Sequence, residues 1–112
     1  MHENIEVIES GYEFLLAYAA QGRESDDGSD TRDTLSGMSN AADAIIATLA
    51  DAEGDFPGVV VDDARKAGAA IRLVLSQDKI SSELVDNLNA SIHLRALLTD
   101  LFLLSETSGI DH

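Results

Sequence analysis

Apolar side chains recur along this chain at the spacing of helices rather than the alternation of strands. In residues 4–21, NIEVIESGYEFLLAYAAQ, a period of 3.6 residues gathers Val7, Ile8, Gly11, Phe14, Leu15 and Tyr18 on one face. Glu3, Glu6, Glu9 and Glu13 fall opposite, which predicts an amphipathic helix with its acids outward. Asn4 suits the N-cap, and Gly22 followed by Arg23 suits the stop. Gly11, in the middle of the apolar face, costs ~1 kcal/mol relative to Ala in a helix. Its expected role is to let a neighbouring helix cross closely.

Residues 36–53, SGMSNAADAIIATLADAE, place Met38, Ala42, Ile45, Leu49 and Ala52 at steps of 4, 3, 4 and 3. That seam predicts a second helix, capped by Ser36 or Ser39 and packed tightly through its alanines. Val60, Ala64, Ala67, Ile71 and Val74 repeat the same steps and predict a third helix over residues 58–77. It follows a DFPG turn in which Asp55 caps and Pro57 fills the first helical turn. Ser81 or Ser82 before Glu83 opens a fourth, over residues 82–105. Between the first two helices, residues 22–35, GRESDDGSDTRDTL, are polar, acidic and nearly free of apolar side chains, so a flexible acidic loop is expected there. The predicted fold is all-α: a four-helix bundle-like single domain over residues 1–112, with up-down connectivity and a tail from 106.

The fourth helix has more apolar surface than one place in a bundle can use. One stripe runs Val85, Leu88, Ile92, Ala96, Thr99 and Leu103, while Leu94, Leu97, Leu101 and Leu104 lie on the opposite side. Leu98 and Phe102 fill the flank between them. Taken as one continuous helix, this element is apolar all round and needs cover all round. Burying four leucines at ~25 cal/mol per Å2 is worth several kcal/mol, more than a short tail ending near Ile110 can shield. Of the three covers open to it, that tail, the chain's own first helix or another subunit, the expected one is a second copy. It gives a homodimer centred on Leu94, Leu97, Leu98, Leu101, Phe102 and Leu104.

Charge changes this picture more than composition does. Acids outnumber bases 21 to 7, a formal charge of -14, and the field therefore has the wrong sign for direct contact with nucleic acid or an anionic membrane. No segment approaches the ~18 apolar residues of a membrane span, and MHENIEVIES lacks the basic start of a secretion signal. A cytoplasmic protein is expected. Without cysteine, disulfides, thiolate catalysis and cysteine-held metals are all excluded. The acidity fits simple solubility, a salt-rich cytoplasm, or a docking face on which Glu6, Glu9 and Glu13 imitate phosphates for a basic partner.

Candidate chemistry is sparse. His93 shares a narrow strip with Asn89 and Asp100, but a metal there needs a further acid, for instance Glu6, Glu9 or Glu13, and no HExxH or ExxH pattern supplies one. His2 and His112 stand at the termini. Aligning Gly28 with the glycine of a calcium-binding EF-hand loop puts Arg23 first, Ser25 third and Thr34 last, and the match fails. Of the adjacent carboxylates, Asp62 and Asp63 point ~100° apart on a helix, and Asp26 and Asp27 lie in the acidic loop. No nucleophile elbow, phosphate loop or dinucleotide fingerprint occurs. No catalytic residue, cofactor or metal is therefore assigned.

The expectation is a non-catalytic accessory, regulatory or adaptor protein that acts by protein–protein association and associates with itself through its last helix. The alternative is an acidic mimic of nucleic acid that binds or inhibits a basic partner. A carboxylate and histidine metal site within the bundle is the outlying case. Self-association through the leucine stripe predicts that Leu97→Asp combined with Leu101→Asp gives a soluble monomer or an unfolded chain. Light scattering at tens of micromolar checks the premise, since a monomeric wild type removes it.

Overall fold

Val60, Ala64, Ala67, Ile71 and Val74 are all buried, so the third helix lies where its seam predicts. The computed structural model describes residues 1–107 and contains five helices. They are α1 (His2–Ala19), α2 (Thr31–Leu49), α3 (Phe56–Leu75), α4 (Ser82–Ala90) and α5 (Ile92–Thr107). No strand occurs among the described residues. α2 lies between α1 and α3, α5 packs along α3, and α4 folds back over α1 and the edge of α3. α5 itself touches α1 only lightly. The result is one body of 44 × 23 × 20 Å around a single core of Leu, Ile, Val, Ala and Met, with Tyr18 its largest enclosed side chain.

The first three helices each begin and end earlier than the sequence reading places them. α1 begins at His2 with Met1 as its cap residue, so Asn4 lies inside the helix, and Ile5 joins the buried face while Val7 stays 38% exposed. α2 begins at Thr31 rather than Ser36 and stops at Leu49 rather than Glu53. Thr31 and Leu35 are wholly buried, so the apolar contact that fixes the helix start comes a turn earlier than the Met38 seam suggests. α3 starts at Phe56 with Pro57 in its first turn.

Residues 20–30 are tied down rather than flexible. The Asp26 carboxylate accepts hydrogen bonds from the Ile80 backbone N–H at 2.9 Å and from Arg32 Nε at 3.2 Å. Arg32 also donates to the carbonyls of Leu75, at 2.8 Å, and Gln77, at 3.0 Å, where α3 has run out of intrahelical donors. The Ile80 N–H, opposed by burial and helped by Arg32, holds the Asp26 carboxyl below its usual range. Its stabilising effect is therefore present at neutral pH and lost as pH falls through that lowered range. Ser82 closes the other side: its hydroxyl donates to the Tyr18 carbonyl at 2.7 Å and accepts from the Arg23 N–H at 2.8 Å. Its own N–H donates to the Arg23 carbonyl at 2.8 Å, and the Tyr18 hydroxyl donates to the Ile80 carbonyl at 2.6 Å. Gly22 takes the left-handed backbone (φ 66°) that ends α1, as its place in the sequence predicts. Residues 50–55, by contrast, are exposed throughout.

The predicted fourth helix is two helices. Asn87, Asn89 and Ser91 offer side chains that compete with helical hydrogen bonding, and at Ser91 the backbone turns extended (φ -64°, ψ 144°). The Ser91 hydroxyl donates to the Leu88 carbonyl at 2.6 Å, while the Asn89 amide, buried, donates to the Leu15 carbonyl of α1 at 3.2 Å. This break resets the helical phase and overturns the leucine seam proposed as a dimer interface. Leu94, Leu97, Leu98, Leu101 and Leu104 are buried within their own chain, and of the six only Phe102, 51% exposed, faces outward. The tail through Ile110 lies outside the described residues, as does His112.

Gly11 sits where α1 and α2 cross. A Cβ there lies 2.5 Å from both Cγ and Sδ of the fully buried Met38. Gly11→Ala is therefore expected to destabilise by about 1–3 kcal/mol through overpacking, despite Ala's ~1 kcal/mol advantage in helices. In urea titrations, Gly11→Ala should cost much less in a Met38→Ala background. A Gly11→Ala protein more stable than wild type shows that the crossing is loose.

Candidate partner-binding surface

With its leucine stripe inside, α5 turns a different set of residues outward. Ile92, Arg95, Thr99, Phe102, Leu103 and Glu106 fall within a sector of about 100° and are all exposed. Ile92 and Leu103 belong to the stripe expected in the core, and they are 74% and 47% exposed. The apolar excess read from the sequence is present, carried by the opposite face.

Two hollows flank this face. Toward α1, a groove of about 330 Å3 is lined by Glu9, Tyr12, Glu13, Leu98 and Phe102. It continues past Tyr12, Leu98 and Phe102 into a further 160 Å3 or so bordered by Arg95 and Thr99. Toward α3, a shallow depression is lined by Ile92, Arg95, Ala96, Thr99 and Asp100.

Asp100 is the most perturbed group of this region. It is 7% exposed, one carboxyl oxygen has no hydrogen-bond partner, and the Asp63 carboxyl of α3 faces it. Burial first, and then the Asp63 carboxyl and its charge, push Asp100 up to about 7. The Asp100 carboxyl so placed keeps its proton and donates it toward Asp63. The adjacent pair considered from sequence separates: Asp62 instead forms an exposed i,i+4 ion pair with Lys66 at 3.1 Å. Asp100 lies 37 residues from Asp63, so no local spacing announces the pair. The one available signal is an acid inside the run LLTDLFLL.

Of the predicted acidic face, Glu6 and Glu13 are exposed and Glu9 is half-buried. Glu6 pairs with His2 at 3.1 Å, and Glu9 and Glu13 form the α1 wall of the groove. The strip of Asn89, His93 and Asp100 is divided between α4 and α5. Among the described residues no three His, Asp or Glu side chains stand together as a metal site, and no helix is long and apolar enough to cross a membrane. Comparison with family models, curated proteins and solved structures finds no match to this chain.

Because Asp100 is raised above its value in an unfolded chain, the native state holds the extra proton between about pH 4 and pH 7. Its effect on stability is thus most favourable below about pH 4 and declines as pH rises through about 7. Asp100→Asn keeps the shape and removes the ionisation. It is expected to stabilise the protein at pH 8 by on the order of 1–2 kcal/mol and to flatten the pH dependence. Thermal melts across this range check it, and an Asn variant less stable than wild type at pH 8 shows that the Asp100 charge carries no such cost.

Proposed function

We propose that this protein is a non-catalytic accessory or adaptor subunit that acts by association, with the outer face of α5 as the seam and a second copy of the chain as its occupant. In this reading α4 and α5 together serve as the fourth rod of an up-down bundle, and the cytoplasm is the expected compartment. The observation that carries it is the clustering of exposed Ile92, Phe102 and Leu103 on one face of one helix. Charge supports a second copy as occupant. Arg95 and Glu106 share this face and form no ion pair within the described chain. Antiparallel pairing of two α5 helices about a two-fold axis sets each Arg95 beside the Glu106 of the other copy. One helix face buries less than the ~800 Å2 per partner of a standard interface, so micromolar affinity is expected.

Two chains of charge -14 repel each other, and salt screens that repulsion. Homotypic association should therefore tighten between about 0.05 and 0.5 M salt, whereas binding to a basic partner weakens over the same range. Sedimentation equilibrium is expected to give a dimer that strengthens with salt. Ile92→Asp with Leu103→Asp should yield a monomer of unchanged helicity, because both positions are exposed. A wild-type monomer at every concentration and salt disposes of the reading.

A further inference from the structure

α4 covers α1 over the turns around Leu15 and Tyr18, where Asn89 and Ser82 bond to α1 carbonyls. Beyond Ser91, α5 follows α3 instead, and the seam between α1 and α5 stands open. At its floor are the apolar parts of Tyr12, Leu98 and Phe102. Glu9 and Glu13 line one wall a helical turn apart, about 6 Å, and Glu6 and Glu3 extend the acidic row along α1. The main hollow, about 330 Å3, lies at the lower end of the range for binding pockets.

We infer that this groove is a docking slot for an amphipathic, basic helical segment of a partner protein. Its apolar anchor seats on Tyr12, Leu98 and Phe102, and lysines or arginines one turn apart meet Glu9 and Glu13. A second copy of this chain fits poorly, because the acids outnumber the bases 21 to 7 and like charges would meet at the wall. An aliphatic ligand without charge leaves the two carboxylates unused. Arg95, at the far end, favours a segment whose basic residues are concentrated toward Glu9 and Glu13 over one that is cationic throughout. This slot opens on the α1 side of α5; Phe102 borders both it and the outer face of α5, as do Arg95 and Thr99 at its far end, whereas Ile92 and Leu103 belong to the outer face alone.

The test uses a labelled designed helix with Leu and Phe on one face and Lys at its flanks, and the same helix with Glu in place of Lys, followed by fluorescence anisotropy. The Lys peptide is expected to bind at micromolar concentration and the Glu peptide not at all. Glu9→Gln with Glu13→Gln should weaken binding about 10-fold. Removing two exposed charges from the turn after α2, Asp51→Asn with Glu53→Gln, should leave it within about twofold. Tyr12→Ala with Phe102→Ala should also weaken it. Ile92→Asp with Leu103→Asp, which tests the homotypic seam, should retain it, so the two proposals fail separately. Equal losses from the near and remote charge pairs, or undiminished binding without the two aromatic rings, overturn the slot.

Discussion

At Ser91 the backbone leaves helical geometry, and the two helices on either side of it are directed by different neighbours. α4 is held to α1 by the buried Asn89 amide, and α5 is held to α3 by its leucine stripe. A continuous rod cannot satisfy both, because the seam that buries Val85 and Leu88 would carry Ile92 and Leu103 inward and turn Leu94 and Leu101 outward. Breaking the helix frees a few backbone groups, which Ser91 partly satisfies through its N–H and hydroxyl. In exchange five leucines reach the core, each worth about 1.5–3 kcal/mol against exposure. The open seam beside α1 and the apolar outer face of α5 are both consequences of that choice.

Two aspartates show how little the residue type decides in so acidic a chain. Asp26 faces a backbone N–H and a guanidinium and is held in its charged form. Asp100 faces another carboxyl inside an apolar surround and keeps its proton toward neutrality. The first joins the α1–α2 connection to the end of α3. The second joins α3 to α5 through a hydrogen bond that exists only while the proton is present. The fold thus has one electrostatic tie that acid weakens and one that base weakens.

The third helix was readable almost whole, because five buried positions at steps of 4, 3, 4 and 3 leave a single choice of face. Gly22 and Ser81 marked a stop and a start correctly, since backbone geometry at those points depends on the residue itself; Ser81 accepts from the Leu84 N–H at 3.0 Å. The start of α2 was not readable, because Thr31 is wholly buried in the fold yet looks in the sequence like any polar loop residue. The phase of the last helix was misread for a related reason. Periodicity shows which residues can share a face, whereas the break depends on an asparagine finding a carbonyl 74 residues earlier. The apolar excess of the last helix and the exposed acids of the first were legible, and which side of the last helix faces outward was not.

The connections before and after α2 differ in how firmly they are tethered. Residues 20–30 are bonded to α2 through Arg32, to α4 through Ser82 and to the α3–α4 connection through Ile80, while residues 50–55 are exposed throughout. The chain therefore has one natural place to be opened. A fluorophore, an affinity tag or a whole guest domain grafted between Ala50 and Asp55 meets only solvent, and new termini created there would leave every helix intact.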